Sequence, residues 1–298
     1  MRLLITGAWK HTTQQIEEIK DLGFDVYFMP DEKGDIPIRP DKVDGVICNG
    51  LFLHHSIEQF ASLKFIQLTS AGYDRVPMNH VKAHGIKINN AKGVYSIPMA
   101  EYAVSGVLYL YKHLSSFVDN QKKHIWEKDR GLAELYAKNV CIIGAGNVGG
   151  ECAKRFKAFG CNVVGVDLHE KEDELFGHIH SIEHIDKLLS CADIVVLTLP
   201  LTQQTKYLFD KERFSFMKKG AILVNISRGA IVDEKALEIA LDTILGGAVL
   251  DVFEQEPLDE SSKIWEKKNV IITPHNSFVG EENNERLFKV IFDFISRV

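Results

Sequence analysis

The chain has 298 residues, 45% of them hydrophobic and 26% charged, which is typical of a globular protein long enough for two domains of ordinary size. Its formal net charge of -6 and its scattered Lys and Arg residues argue against a nucleic-acid partner and against a polybasic membrane anchor. No apolar run reaches the roughly 20 residues of a membrane span. The five cysteines include no C-x-x-C pair, which is typical of reduced thiols, so we expect a cytoplasmic protein.

The first part of the chain alternates short apolar runs with amphipathic stretches, a pattern that predicts βαβ units around a parallel sheet. The amino terminus is predicted to be a buried first strand, because its apolar run is too short for a signal segment. A helix is predicted near residues 13–22, and the predicted strands are residues 2–6, 26–29, 45–48, 65–69 and 86–89.

A segment without strong helix breakers begins at Pro98. Its apolar residues keep helical spacing to Leu114, and the pattern extends weakly to Ile125. Proline is tolerated in a first helical turn because its missing N–H has no partner there. The segment therefore predicts one long helix that joins the two halves of the chain.

A second alternating series begins at Asn139 and has near-continuous apolar runs separated by helical stretches. Because runs of this kind are buried on both faces, they predict a doubly wound parallel sheet. The tail, residues 284–298, has the apolar spacing of an amphipathic helix that could pack on either domain. The predicted strands of the second half are residues 140–143, 163–166, 194–199, 221–226, 248–252 and 270–273.

A glycine-rich turn follows the first strand of the second series and opens a helical pattern. This G-x-G-x-x-G motif allows a tight turn and close backbone approach, while the helix N-terminus attracts a pyrophosphate. Asp167 ends the next strand, where its carboxylate can accept hydrogen bonds from the adenosine ribose. The pattern predicts NAD, because a ribose 2′-phosphate would meet like charge, although His169 and Lys171 leave NADP as an alternative. The predicted cofactor-binding residues here are Gly144, Gly146, Asn147, Val148, Gly149 and Asp167.

Polar clusters follow each of the last three predicted strands, and they contain Arg228, Glu256 and His275. In an open α/β sheet such clusters meet at the carboxyl edge. A guanidinium can grip a carboxylate in two parallel hydrogen bonds and polarise a keto oxygen, and an imidazole can exchange a proton with that oxygen near neutral pH. A carboxylate beside the imidazole would favour its protonated form and orient the ring. The three residues therefore predict acid–base chemistry on a small keto acid.

Other interpretations of these residues stay open from the sequence. Arg228 could form an ion pair with Asp233, and His275 could be a structural histidine at a strand end. Glu254 lies two residues before Glu256 and is the alternative partner of the histidine.

The chain resembles the D-isomer-specific 2-hydroxyacid dehydrogenases over nearly its whole length. The resemblance rests on the glycine motif and on the segments VNISRG at 224–229, LDVFEQEP at 250–257, TPH at 273–275, PLTQQT at 200–205, SAGYD at 70–74 and GVYSIPMAEY at 93–102. It implies that Arg228 binds and polarises the substrate, that His275 is the acid–base residue and that Glu256 is its partner.

The resemblance also implies roles for other positions. Asp251 would hold the nicotinamide carboxamide, although from the residues alone it could instead cap the following turn. Pro200 and Ile226 would line the cofactor site, and the backbone N–H groups of Ala71 and Gly72 would bind the substrate carboxylate. The implied partners are a small 2-oxo or 2-hydroxy acid and a second copy of the chain, joined through the long helix after Pro98.

The expected fold is therefore α/β, with two doubly wound parallel-sheet domains and a deep cleft between them. A flavodoxin-like substrate domain would comprise residues 1–92 and 277–298, and a Rossmann cofactor domain residues 93–276. The expected activity is NAD-dependent reduction of small 2-oxo acids, such as glyoxylate, hydroxypyruvate or pyruvate, to D-2-hydroxy acids and the reverse.

Two alternatives to that activity are an NAD(H)-sensing module like the related corepressors and a phosphoglycerate-type dehydrogenase. The stretch 43–63 has no Arg or Lys, and we expect no regulatory domain after the last helix; both points argue against a phosphorylated substrate. An enzyme of this fold that oxidises formate would be expected to have a different residue in place of the glutamate beside the histidine, so Glu256 argues against formate oxidation. Phe278 departs from the common pattern after TPH, which leaves the size of the substrate open.

Three histidines, His178, His180 and His184, have a spacing that could bind a metal. They lie in a polar crossover without a nearby cysteine ligand, so the sequence favours a solvated surface and predicts no metal site.

Overall fold

The computed structural model describes residues 1–298, which divide into two compact units. The first unit comprises Met1–Tyr95 and Gly280–Val298, and the second comprises Ser96–Val279. The predicted first junction, at residue 92, lies slightly before Ser96, where the helix that opens the second unit begins. No helix in the structure is long and apolar enough to cross a bilayer.

The first unit contains a five-stranded sheet of order β2-β1-β3-β4-β5, in which every neighbouring pair is parallel. This is the flavodoxin-like order, and the predicted parallel sheet is confirmed. β3 and β4 are buried at every residue, which explains why their sequences are apolar without alternation. The strands are β1 (Arg2–Thr6), β2 (Asp25–Met29), β3 (Gly45–Cys48), β4 (Phe65–Leu68) and β5 (Lys87–Asn89).

The helices of the first unit are α1 (Thr13–Asp21), α2 (Met78–Ala83) and α9 (Asn283–Ile295). Thr12 and Gln15 form a capping box that starts α1. The predicted tail helix is confirmed as α9, and it packs on the first unit. Its buried residues Leu287, Ile291 and Ile295 join one apolar cluster with Leu3 and Ile5 of β1.

The second unit contains an eight-stranded sheet of order β13-β12-β11-β10-β6-β7-β9-β8. All neighbours are parallel except the edge pair β8 and β9, so the core of the sheet has the Rossmann order. The strands are β6 (Asn139–Ile143), β7 (Asn162–Asp167), β8 (Lys171–Asp173), β9 (Gly177–Ser181), β10 (Ile194–Leu197), β11 (Ile222–Asn225), β12 (Gly247–Leu250) and β13 (Val270–Ile272).

Helices cover both faces of this sheet, and alternate residues of β6 belong to two different apolar clusters. On one face, α3 (Ser96–Tyr111) and α5 (Asn147–Ala158) bury small and aromatic side chains. On the other face lie α6 (Ile185–Leu189), α7 (Lys211–Ser215) and α8 (Glu234–Thr243).

The prediction of one helix running past Tyr111 is wrong. The structure has α3 and then a separate helix, α4 (Leu114–Lys122), because His113 adopts a left-handed backbone with φ 47°. Lys112 Nζ donates to Ala133 O at 2.7 Å and His113 Nδ1 lies 2.7 Å from Asp129 Oδ2. These contacts with the segment after α4 hold the turn that separates the two helices.

Candidate functional site

The three predicted catalytic residues lie in the loops that follow three adjacent strands. β11, β12 and β13 are neighbours, and Asn225 lies opposite Leu250, which in turn lies opposite Ile272. The loops that hold Arg228, Glu256 and His275 therefore leave one edge of the sheet side by side.

A rigid turn after β11 positions Arg228. The buried Asn225 side chain accepts hydrogen bonds from Ser227 N at 3.1 Å and Ser227 Oγ at 2.7 Å, and its Nδ2 donates to Arg228 O at 3.1 Å. The Arg228 guanidinium donates through Nη1 to Ser227 O at 2.8 Å. These bonds fix the backbone on both sides of Arg228, whose side chain is half-buried.

Gly229 brings the Arg228 turn against the loop that follows β12. A Cβ atom at this position would overlap the carbonyl group of Phe253. Only glycine permits this approach of two backbones, so the Arg228 turn and the Glu256 loop pack directly on each other.

The structure pairs His275 with Glu256. Nδ1 of His275 lies 2.8 Å from Glu256 Oε2, and the second carboxylate oxygen accepts a bond from Phe253 N at 3.1 Å. Glu254, the alternative partner, instead accepts bonds from Tyr207 Oη at 2.8 Å and Glu234 N at 3.1 Å. Both members of the pair remain accessible, with 37% and 38% of their side-chain surfaces exposed.

Asp251 holds the loop that carries His275. Its carboxylate is fully buried and accepts bonds from Thr273 Oγ1 at 2.6 Å, Asn276 N at 2.7 Å and Ser277 N at 2.9 Å. His275 itself has a left-handed φ of 52° and donates its N–H to Asp251 O at 2.8 Å. A non-glycine residue rarely adopts this conformation, and the Asp251 bonds keep it there. The nicotinamide contact of Asp251 stays a prediction beside this structural role.

Two aromatic residues support the same loop, and the sequence did not assign them a role in it. Tyr102 Oη, from α3, lies 2.6 Å from Thr273 Oγ1, which donates to Asp251, so the tyrosine is the donor in this contact. Burial raises the pKa of Tyr102, which keeps the hydroxyl protonated. The Phe278 ring lies against the His275 imidazole in a T-shaped arrangement, with 6.1 Å between centroids and an interplanar angle of 83°.

The glycine motif forms the tight turn that its sequence predicts. Gly144 has φ 105°, and a Cβ there would lie 2.8 Å from the Thr198 carbonyl carbon. A Cβ at Gly149 would overlap the Gly144 carbonyl oxygen. Thr198 Oγ1 donates to Gly144 O at 2.6 Å and so fastens the turn to the end of β10.

The residues of this turn fit a bound dinucleotide. Gly146 is the N-cap of α5 and no side chain caps the helix, while a Cβ at Gly146 would meet no heavy atom within 4 Å. The first N–H groups of α5, from Asn147 and Val148 onward, are thus open to a phosphate group. Asp167 ends β7 beside the turn and accepts a bond from Ala145 N at 3.0 Å, which leaves carboxylate lone pairs for ribose hydroxyls.

The remaining predicted residues lie in three places. Ile226 is buried directly after β11, and Pro200 is exposed in a loop that Thr205 closes by donating to Pro200 O at 2.7 Å. Ala71 and Gly72 lie in the loop after β4 of the first unit. Their carbonyl groups accept bonds from Asn90 Nδ2 at 2.6 Å and Ser70 Oγ at 3.3 Å, while their N–H groups have no acceptor within that unit.

Comparison with known proteins identifies the family. Residues 104–277 match the family model described as the NAD binding domain of D-isomer specific 2-hydroxyacid dehydrogenases. The chain belongs to this family. Among family members, the hydroxypyruvate reductase of Thermotoga maritima is 32% identical over 249 residues, covering 81% of this chain and 78% of the relative.

Two further matches show how broad the family is. The D-3-phosphoglycerate dehydrogenase of Methanocaldococcus jannaschii is 34% identical over 247 residues, which cover 81% of this chain but only 47% of that protein. The chain thus spans about half the length of this relative. The crystal structure of D-lactate dehydrogenase from Aquifex aeolicus, complexed with NAD and lactic acid, matches 98% of this chain and 94% of that one with a TM-score of 0.81 and 27% identity. The predicted family and its α/β fold are confirmed.

Proposed function

We propose that this chain is an NAD-dependent dehydrogenase that reduces small 2-oxo acids, of the glyoxylate, hydroxypyruvate or pyruvate type, to D-2-hydroxy acids and catalyses the reverse reaction. The proposal rests on the 2.8 Å contact between His275 Nδ1 and Glu256 Oε2, together with the packing of the Glu256 loop on the Arg228 turn. Such a set can bind a carboxylate, polarise a ketone and move a proton, and each task has its own side chain.

The residues divide the reaction between them. When NADH is bound, its nicotinamide would supply the hydride to the keto carbon of the substrate. The Arg228 guanidinium holds the substrate carboxylate and draws electron density toward the keto oxygen. Because His275 Nδ1 faces Glu256, the opposite ring nitrogen, Nε2, delivers the proton to that oxygen. In the reverse direction, Nε2 takes the proton from the hydroxyl group.

Glu256 acts through the histidine and not on the substrate. Its carboxylate accepts the Nδ1–H bond, which sets the tautomer and the orientation of the ring. Phe253 N donates to the other carboxylate oxygen, so the Glu256 side chain is fixed relative to the backbone.

Three features bear on cofactor and substrate choice. The Asp167 carboxylate supports NAD over NADP, because it would repel a ribose 2′-phosphate. The two unused N–H groups of Ala71 and Gly72 suit a carboxylate. The ring of Phe278 beside His275 favours small side chains on the substrate, because it takes up room next to the proton donor.

A phosphoglycerate-type activity is the second candidate, since a relative with that name is 34% identical. The absence of Arg and Lys from residues 43–63 supports the smaller, unphosphorylated acids. An NAD(H)-sensing protein without useful turnover is the third candidate. The paired His275 and Glu256 support an enzyme over a sensor, because a sensor needs no proton donor.

Initial rates with NADH and with NADPH across a series of 2-oxo acids of increasing size test these choices together. We expect the highest kcat/KM with NADH and a substrate of two or three carbons, and a lower value with 3-phosphohydroxypyruvate. In an Asp167→Ala variant, the difference in kcat/KM between NADH and NADPH should become smaller. A preference for 3-phosphohydroxypyruvate would instead support the phosphoglycerate-type activity. Binding of NADH without turnover of any acid would support the NAD(H)-sensing protein.

We also propose that the chain forms a homodimer, for which exposed apolar side chains of the second unit are the support. α3 is largely buried in its own unit, but α4 and the segment that follows it expose Leu114, Val118, Ile125 and Trp126, the last at 98%. An apolar surface of this kind is typical of a protein interface, and a second copy could cover it with the same surface. Light scattering should give the mass of a dimer, and Trp126→Ser should shift it toward the monomer; a monomeric wild type would contradict this proposal.

A reducing compartment such as the cytoplasm is the location that we propose. All five cysteines are free in the structure and four of them are buried, so the fold contains no disulfide that would need an oxidising environment.

A further inference from the structure

The edge of the second unit's sheet brings together three side chains of metal-ligating types, none of which belongs to the proposed catalytic set. Glu170, His178 and His180 each offer one ligand atom, and these atoms all lie within 4.8 Å of one another. His178 and His180 are two residues apart on β9, so both point to the same face of the strand. Glu170 reaches them from the loop between β7 and β8.

The distances between these ligand atoms fit a small divalent ion. His178 Nε2 lies 2.9 Å from Glu170 Oε1, and His180 Nδ1 lies 3.8 Å from the same oxygen. Ligands bound about 2.0–2.1 Å from a tetrahedral zinc ion lie roughly 3.4 Å apart, between these two values. Because the three side chains are 32% to 48% exposed, they can make the remaining adjustment without moving the core.

A second carboxylate prepares His178 for such a role. Glu172 Oε1 lies 2.9 Å from His178 Nδ1, and Glu172 is paired directly with His178 across the antiparallel β8 and β9. Metal-binding histidines commonly donate their other ring N–H to a carboxylate, which fixes the tautomer and aims the free nitrogen at the ion. Here that arrangement aims Nε2 at the Glu170 side.

We propose that Glu170, His178 and His180 bind one divalent transition-metal ion of the zinc class, with Glu172 as the outer carboxylate that orients His178. Two imidazoles and one carboxylate form a ligand set that suits Zn²⁺ and Ni²⁺ and that hard cations such as Mg²⁺ do not prefer. Water completes the coordination because the site is open to solvent.

The ion would fasten the polar edge of the sheet. Glu170 follows β7 closely, and His180 lies opposite Val166 of β7 in the parallel register. A metal bridge therefore ties the loop after β7 to β9, next to Asp167. The role is structural, since none of the three ligands belongs to the proposed catalytic set.

Isothermal titration of untagged, chelator-treated full-length protein with Zn²⁺ tests the proposal. We expect one ion per chain for the wild type, and a weakening of more than about 10-fold for each of Glu170→Gln, His178→Gln and His180→Gln. Glu172→Gln should weaken binding less than the loss of a direct ligand does. Zinc should also raise the melting temperature of the wild type, and should do so less in the ligand variants.

The control is a second pair of histidines in the first unit, whose rings stack with 3.9 Å between centroids. A His80→Gln/His84→Gln double variant should bind zinc as the wild type does. Circular dichroism without metal checks that each variant is folded. Absence of a one-to-one zinc isotherm in the wild type, loss of binding in the control variant or unchanged binding in His178→Gln would each overturn the proposal; the three residues would then form ion pairs only.

Discussion

At the scale of single residues, the site depends on how each functional side chain is held. Arg228 is fixed by the Asn225 amide, and His275 by Glu256 at its ring and by Asp251 at its backbone. Asn225 and Asp251 are buried polar residues that satisfy several neighbours at once. Substrate and proton would therefore meet groups that are already oriented, which lowers the entropic cost of reaching the transition state.

Replacing Arg228 tests its proposed grip on the substrate carboxylate. Arg228→Lys keeps the charge but loses the planar fork, so we expect KM for the 2-oxo acid to rise and kcat to fall. Arg228→Ala should reduce kcat/KM further, by about 10- to 150-fold, which corresponds to roughly 1.5–3 kcal/mol for hydrogen bonds to a charged group. Steady-state kinetics measure both. Equal kinetics for the wild type and Arg228→Ala would exclude the assigned role.

Glu256 and Glu254 provide a matched pair of variants. Glu256→Gln removes the carboxylate that holds Nδ1 of His275, so the ring loses its orientation and we expect kcat for reduction to fall by about 10²-fold. Glu254→Gln should leave kcat close to the wild-type value, because Glu254 accepts bonds from Tyr207 and from the Glu234 N–H instead. Steady-state kinetics of both variants check this. A loss of activity in the Glu254 variant alone would reverse the assignment.

At the scale of helices and strands, loops are held by side chains that reach across the sheet. Asp193 is one example: its carboxylate accepts bonds from Asn139 N at 2.9 Å and Lys218 Nζ at 2.7 Å. Asn139 begins the strand that leads into the glycine motif. Although burial opposes it, these two bonds keep the pKa of Asp193 below its usual value.

Because the folded-state pKa of Asp193 is lowered, its contribution to stability is present above the unfolded pKa of about 3.9 and is lost as pH falls through the folded value. Asp193→Asn should therefore lower the free energy of unfolding at neutral pH by about 1 kcal/mol. The difference from the wild type should shrink below about pH 4. Urea unfolding of both proteins at several pH values measures it; a constant difference would show that the charge is not responsible.

Buried elements could be predicted from the sequence, whereas polar edges could not. β1 and β3 have the predicted bounds because continuous apolar runs must be buried on both faces. β8 and β9 were missed because Ile179 is their only buried residue, while β8 is wholly charged and the rest of β9 is Gly, His and Ser. The break between α3 and α4 was missed because His113 is neither glycine nor proline, and contacts with distant residues bend the chain there.

The same limit applies to the site. Arg228, Glu256 and His275 could be selected because polar residues stand out directly after apolar strands. Tyr102 and Thr273 are 171 residues apart, so no local pattern joins them. The cluster of Glu170 with two histidines needed the pairing of β8 with β9, which a sequence of polar residues does not specify.

At the scale of the whole molecule, the chain combines a flavodoxin-like unit with a Rossmann unit, each with its own parallel sheet. The residues of the second unit that we propose for cofactor binding and proton transfer all lie at the carboxyl ends of its strands, from Asp167 at one side to His275 at the other. This placement would let a cofactor turn and an acid–base pair that are distant in sequence serve one reaction.

The proton donor that we propose for the reduction of a small 2-oxo acid is His275. The rate of NADH oxidation, followed by absorbance, tests this for the wild type, His275→Ala and the surface control His84→Ala, with chiral analysis of the product. We predict that the wild type and the control form the D-hydroxy acid at equal rates and that His275→Ala is slower by about 10²- to 10⁴-fold. A wild-type rate no higher than that of His275→Ala would contradict the role of His275.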